Sequence, residues 1–284
     1  ARALREHFLS NGFDIIALGE GERTIVQIVE ELSSKKPDYS KVERIAFRKN
    51  GKTIITSAPF RKGTKFLDHY VPHPAIDALP LDTYQKLSIP HAGYVAPGTR
   101  IAPIMTARGC QDKCTFCHIS QEKIERNVFG DIGFLKLFSE ERVSEDVSRA
   151  AKLGVTRFYF EDDNLFFNKK RLYKLAPHLK RKGISYSAGN GANLRFLIKK
   201  INSHYEVDDE FINMLTSFGL DELMLPFETR SNEMMQRYAT GKYNPDEMLP
   251  FGILKSIKKA GINARSNFLI GFRDESWESI LDTK

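Results

Sequence analysis

Cys110, Cys114 and Cys117 are the only three cysteines in 284 residues, and all fall in one stretch, Cys110-Gln-Asp-Lys-Cys114-Thr-Phe-Cys117. Thiolates spaced C-x3-C-x2-C on one loop can hold three irons of a cubane cluster, because cysteine sulfur is the ordinary ligand of iron–sulfur centres. The fourth iron would then be open to a small molecule. A fully ligated electron-transfer cluster would take a fourth cysteine, which this sequence does not contain. A structural zinc ion asks for four ligands, commonly two well-separated cysteine pairs, and there is no second pair. His118 adjoins Cys117, and neighbours in sequence rarely reach one metal ion. A disulfide framework fails on the odd count and on the N-terminus: Ala1–Ser10 carries Arg2, Arg5 and Glu6 and no apolar run of a secretory signal.

The flanking residues carry a resemblance. Arg108-Gly109-Cys110-x3-Cys114-Thr115-Phe116-Cys117, after the apolar run Ile101–Met105, resembles the signature of radical S-adenosylmethionine enzymes. The resemblance implies a [4Fe–4S] cluster on Cys110, Cys114 and Cys117. It implies S-adenosylmethionine bound to the unique iron through its amino and carboxylate groups. One electron then cleaves the sulfonium to a 5′-deoxyadenosyl radical that abstracts hydrogen from a substrate. It also implies that Phe116 packs near the adenine.

The elements that must position such a loop are legible from periodicity. From Ile101 onward, strands alternate with helices. The strands are Ile101–Met105, Val155–Phe160, Ile184–Ala188, Glu222–Phe227 and Ala264–Ile270. The helices are Ser144–Leu153, Lys169–Lys182, Asp208–Phe218 and Pro245–Ala260. Gly154, Gly183, Gly219 and Gly261 stand just past the helices, where C-caps favour glycine. The alternation predicts an α/β fold of parallel strands with helices outside. The resemblance makes it a partial (β/α)6-type barrel, five of whose strands are counted before Lys284. Chemistry in such barrels gathers at the C-terminal strand ends.

Those ends supply the remaining candidates. Glu161-Asp162-Asp163-Asn164 follows the second strand. The resemblance places an acceptor for the S-adenosylmethionine amino group there, with Glu161 and Asp162 both open, while an Asp/Asn helix cap is the plainer reading. Gly189-Asn190-Gly191-Ala192-Asn193-Leu194-Arg195 follows the third. Its glycines permit close approach of a ligand to Asn190, and Arg195 could pair with a carboxylate or simply be a surface residue. Glu228 ends the fourth strand after an apolar run and is costly to bury without a partner. In the family a glutamate there lies near the ribose or methionine. Phe268-Leu-Ile-Gly271 ends the fifth and resembles the family turn whose glycine, here Gly271, faces adenine.

Upstream, Phe13–Leu18 reads as a strand, Gly19-Glu-Gly-Glu22 as a turn, and Thr24–Leu32 as a helix with apolar spacing at Ile25, Ile28, Val29 and Leu32. Asn50-Gly51 between Arg44–Arg48 and Thr53–Thr56 predicts a hairpin. Six prolines between Val71 and Pro103 predict an extended linker. The Gly-Glu turn, helix, Asn-Gly hairpin and Pro72-His-Pro-Ala-Ile-Asp-Ala-Leu-Pro80 resemble the stretch that joins a cobalamin-binding Rossmann-like α/β module to the radical domain in cobalamin-associated members of the superfamily. The expected organisation is residues 1–70 as the last part of such a module, 71–100 as linker and 101–284 as barrel. The cobalamin-binding Asp-x-His-x-x-Gly motif of the module does not occur in the sequence, so the chain is expected to begin inside the module and to lack its cobalamin-binding region.

Composition fits: 41% hydrophobic and 28% charged residues are those of a globular protein, and no apolar run reaches the ~18 residues of a membrane span. The net charge of +7 leaves nucleic acid open as a partner, although the densest basic groups, Lys169-Lys170-Arg171, Lys180-Arg181-Lys182 and Lys258-Lys259, fall on expected helix faces. The expected function is a radical enzyme for methylation or rearrangement at an unactivated carbon. Its expected partners are a small-molecule substrate and a reductant such as flavodoxin or ferredoxin, and retained thiols place it in a reducing cytoplasm or plastid-like compartment. Methylthio transfer or RNA modification is the alternative enzyme reading, although such enzymes bring three further cysteines. A non-catalytic iron–sulfur module is the alternative outside enzymes.

Overall fold

A computed structural model describes residues 4–57, 67–87, 95, 98–190, 192–239, 242–244, 247 and 249–284. The chain divides into two compact units, Ala1–Pro72 with Cys117–Phe134, and His73–Phe116 with Leu135–Lys284.

The first unit is a three-stranded antiparallel sheet clothed by short helices. Helix α1 (Arg5–Ser10) leads into β1 (Ile15–Ala17), helix α2 (Gly21–Leu32) follows, and β2 (Ile45–Lys49) and β3 (Lys52–Ile55) complete the order β1-β2-β3. Asn50 and Gly51 have φ of 52° and 78°, the left-handed pair a type I′ hairpin requires. Strand alternation splits the core between two faces. Ile16 and Ala46 pack with Leu9, Leu18, Phe129 and Ile132, whereas Ile45 and Phe47 pack with Val42, Ile15, Tyr39 and Ile54. The segment that follows Cys117 contributes helices His118–Ile124 and Arg126–Phe129. A buried Arg44 ties it down, with Nη1 3.2 Å from Asp131 Oδ1. Gly130 has a φ of 69°, which L side chains rarely adopt, and a Cβ there would sit 1.3 Å from that guanidinium. The apolar stripe of α2 is not core: Ile25, Val26, Val29 and Leu32 are each more than half exposed.

The second unit carries a five-stranded, all-parallel sheet. Its strands are β4 (Ile101–Ile104), β5 (Arg157–Phe160), β6 (Ser185–Ala188), β7 (Leu220–Glu228) and β8 (Asn263–Phe268), each hydrogen-bonded to the next in sequence. Helices α3 (Glu140–Lys152), α4 (Lys169–Leu179), α5 (Asp209–Ser217) and α6 (Pro250–Lys259) connect them. This is the expected α/β architecture of successive parallel strands. Phe158, Phe160 and Tyr186 turn to one face and stack, at ring separations of 5.7 and 5.6 Å. Tyr186 closes the layer by donating from its hydroxyl to Leu179 O at 2.7 Å, inside a shell that pushes that phenol's pKa up. Alternation then sends Arg157, Tyr159 and Ser187 to the other face. There Arg157 grips both carboxylate oxygens of Asp221 at 2.8 and 2.7 Å and reaches Glu222 at 3.0 Å. Burial raises the Glu222 carboxyl against the pull of Arg265 and Arg157.

Several boundaries move for stated reasons. Helix α3 starts at Glu140 rather than Ser144 because Ser139 caps it, its hydroxyl accepting from Arg142 N at 3.1 Å. Residues 71–100 are not extended throughout: Ile76–Ala78 and Leu81–Leu87 are helical, the latter starting directly after Pro80, where proline suits a helix entrance. The expected three-part division thus differs from the two units, since 73–100 groups with the barrel and 117–134 with the N-terminal sheet. Helix α6 begins at Pro250; positions 245, 246 and 248 of its expected first turn lie outside the described residues, as does Gly191. A hairpin of Ile198–Ile201 with His204–Val207 was not expected.

Candidate active site

The cysteine loop leaves the C-terminal end of β4 and is held at three successive points. At its root, Thr106 donates its N–H to Asp162 Oδ2 at 3.0 Å and its hydroxyl to Asp162 Oδ1 at 2.6 Å. Arg171 of α4 donates to Thr106 Oγ1 at 3.0 Å, to Thr106 O at 2.8 Å and to Phe138 O at 3.1 Å. Asp162 is 1% exposed; burial lifts its pKa to about 6, opposed by the Thr106 hydrogen bonds and by Arg171. Next, Gly109, with φ of 81°, donates its N–H to Asp163 Oδ2 at 2.7 Å.

Within the loop, Asp112 is the third anchor and is buried. Its Oδ2 accepts from Asn193 Nδ2 at 2.9 Å and from Asn164 Nδ2 at 3.3 Å, and Arg195 Nη2 lies 3.4 Å from Oδ1. Charged and amide donors from the ends of β5 and β6 thereby converge on one carboxylate of the loop. Cys110 Sγ accepts from Asp112 N at 3.4 Å and from Asn164 Nδ2 at 3.7 Å. Cys114 is buried and Cys110 and Cys117 are half-buried. Cys117 stands at the N-cap position of the helix His118–Ile124, without a side-chain cap hydrogen bond.

Of the two acidic residues left open, Asp162 faces inward and braces the root of the loop. Glu161 stands at the strand end, where its Oε2 accepts from Asn190 Nδ2 at 2.9 Å. The structure thus joins Glu161 to Asn190 and Arg195 to the cysteine loop. Phe116 is 43% exposed and lies against Phe272 at 5.9 Å, which in turn stacks on Tyr238 at 5.0 Å. Thr115 N donates to Tyr238 O at 2.7 Å, fixing the loop to this patch. Gly271, φ 83°, opens the turn that carries Phe272, and its N–H and that of Phe272 both donate to Glu275 Oε2, at 2.7 and 3.2 Å. Glu228 is buried, adopts a left-handed φ of 59° and pairs with Lys242. Its carbonyl accepts from Leu269 N at 2.6 Å across an irregularity in the β7–β8 register.

Sequence reasoning missed Asp112, Asn164, Asn193, Lys242, Tyr238 and Phe272. Asn164 and Asn193 lay in the acid–amide and glycine-rich runs already marked. Asp112 sits between two cysteines with no spacing rule to flag it.

The Radical SAM superfamily model matches residues 104–284, the cysteine loop and everything after it. The chain belongs to the radical SAM superfamily. An uncharacterized methyltransferase of Pyrococcus horikoshii is 27% identical over 273 residues, covering 95% of this chain and 51% of the relative. The cobalamin-dependent S-adenosylmethionine radical enzyme OxsB, solved with aqua-cobalamin bound, superposes with a TM-score of 0.70 at 18% identity over 98% of this chain and 37% of its own. The radical S-adenosylmethionine methyltransferase TsrM of Kitasatospora setae, solved with cobalamin and a [4Fe–4S] cluster, gives 0.67 at 16% identity over 99% and 51%. The chain spans about half the length of the curated relatives it matches, and the likeness to OxsB and TsrM is one of fold.

Membership in the radical SAM superfamily implies a [4Fe–4S] cluster and S-adenosylmethionine. The donor chemistry fits: three thiols lie on one loop, and Cys110 receives two N–H donors of the kind a cluster-bound, negatively charged sulfur accepts, although among the described residues no three cysteine, histidine or carboxylate side chains stand together as a metal site. Among the described residues no helix is long and apolar enough to cross a membrane.

Proposed function

We propose that this chain is the cluster-bearing part of a cobalamin-associated radical S-adenosylmethionine enzyme that methylates an unactivated carbon of a small molecule. The observation that supports this most is the fixed cysteine loop: Thr106, Gly109 and Asp112 are each tied to residues at the ends of β5 and β6. These anchors fix the loop on either side of Cys110, so that part of it is ordered before a cluster binds. Methylation is favoured over rearrangement because the Pyrococcus relative and TsrM are both named methyltransferases. When bound, the cluster supplies the electron that opens the sulfonium and cobalamin carries the methyl group.

In this reading Cys110, Cys114 and Cys117 hold the cluster. Glu161, steadied by Asn190, accepts from the S-adenosylmethionine amino group. Phe116 and Phe272 offer ring faces to the adenine beside Gly271. Arg195 steadies the loop through Asp112, and Glu228, with Lys242, meets the ribose or methionine part. A low-potential donor such as flavodoxin or ferredoxin supplies the electron.

Ligand binding tests the reading. A ligand at 100 times its Kd adds about 2.7 kcal/mol to folded-state stability. S-adenosylmethionine at that level should therefore raise the melting temperature of the reconstituted protein. Glu228→Gln, which keeps shape and removes charge, should shrink that rise to about half, as a tenfold loss of affinity dictates, with iron content unchanged. An undiminished rise would make Glu228 and Lys242 a structural pair.

A further inference from the structure

Asn164 is nearly fully buried, and its two polar atoms are treated very differently. Nδ2 lies 3.3 Å from Asp112 Oδ2 and 3.7 Å from Cys110 Sγ. Oδ1 has no hydrogen-bond partner among the described residues. The amide cannot gain by turning over, since a flip would aim its oxygen at the Asp112 carboxylate, which Asn193 and Arg195 hold in place. A buried carbonyl without a partner destabilises a fold. Leucine has nearly the same shape and carries no such penalty, so packing alone does not explain an amide here.

What the amide provides is a directed N–H on Cys110 sulfur. Toward a neutral thiol that bond is weak. Toward a sulfur bound to iron and sharing the cluster's charge it is stronger, and it strengthens again when the cluster takes up an electron, because the added charge spreads onto the sulfurs. A donor of this kind favours the reduced state. Building on the cluster assignment proposed above, we infer that Asn164 is a positioning residue that sets the reduction potential of the centre through the Cys110 sulfur, making one-electron uptake from a flavodoxin- or ferredoxin-class donor easier. The electron balance is simple: the donor loses one electron and the cluster gains it, with no bond made or broken at Asn164. Asp112 acts alongside, as the carboxylate that fixes the amide's orientation and as the source of a second N–H, at 3.4 Å from the same sulfur.

The test compares the parent with Asn164→Leu after anaerobic reconstitution. Iron and sulfide are assayed first; a parent without a cluster would reject the cluster assignment itself, before the potential is considered. With both proteins loaded, a redox titration followed by electron paramagnetic resonance should show the leucine variant about tenfold less reduced at the parent's midpoint, a shift of about 59 mV to more negative potential for one electron. Equal midpoints would overturn the inference. Should the variant fail to load, the parent alone decides: 15N at asparagine side-chain amides should give a nitrogen coupling to the reduced cluster in spin-echo spectra. Absence of that coupling would equally overturn it.

Discussion

Replacement of Cys114 by alanine is expected to take the protein from about four irons per chain to none that survives desalting. Each thiolate holds one iron of the cubane, and no fourth cysteine exists to substitute. The side chain is buried, yet cysteine behaves there as a small hydrophobe, so the fold should persist. The anchors at Thr106, Gly109 and Asp112 do not involve Cys114. Iron and sulfide analysis of anaerobically reconstituted parent and variant, with circular dichroism confirming equal secondary structure, reads the effect. One zinc per parent chain, without sulfide, would contradict it.

Arg171→Leu is expected to lower the free energy of unfolding by about 3–5 kcal/mol, the range seen when one member of a buried charged network is removed. The guanidinium is 7% exposed and serves Thr106 Oγ1, Thr106 O and Phe138 O. Leucine would take the Arg171 donor from Phe138 O and leave Asp162 without its cation, while Thr106 O keeps its bond from Phe138 N at 3.0 Å. That carboxyl, already pushed to about 6 by burial, would rise further in the variant, so the loss should be larger at pH 8, where the parent's folded acid is ionised, than at pH 5, where it is largely neutral in both folded proteins. Urea unfolding at the two pH values measures both effects. A loss below ~1 kcal/mol, or one independent of pH, would show that Arg171 does not brace the root of the cysteine loop.

The barrel was legible because its signals are local. Val155–Phe160 and Ile184–Ala188 are strand-length stretches rich in β-branched and aromatic residues, and Gly219 must be glycine, with φ of 100° and a would-be Cβ 2.7 Å from Ile184 O. The two hairpins show where legibility stops. Asn50-Gly51 announces itself, whereas Asn202-Ser203 makes a turn with both φ values also positive, 44° and 71°, and a serine there sends no such signal. The apolar spacing of α2 marked a helix with an apolar stripe. The structure leaves Ile25, Val29 and Leu32 exposed, since periodicity reports a two-sided helix and not what covers it.

The candidate site divides the same way. The cysteines are a spacing pattern and could be read directly. The choice between Glu161 and Asp162 could not, because it depends on which side of β5 each carboxyl leaves, and one residue of register reverses that. Asp112, Asn164 and Asn193 meet only when β4, β5 and β6 are side by side, a long-range fact with no local trace. Phe272, just past β8, reaches Phe116, and Tyr238, at the end of the helix Asn232–Tyr238 that follows β7, stacks on Phe272, both far along the chain.

The central claim is that three thiolates hold a cluster whose fourth iron is open to S-adenosylmethionine. Mössbauer spectroscopy of protein reconstituted with 57Fe, recorded before and after adding S-adenosylmethionine, tests it most directly. The expected result is a [4Fe–4S] spectrum in which about one iron in four changes its isomer shift and quadrupole splitting when the ligand is added, as nitrogen and oxygen donors complete its coordination. A cluster whose four irons are indifferent to the ligand, or a protein that takes up no cluster, would contradict it.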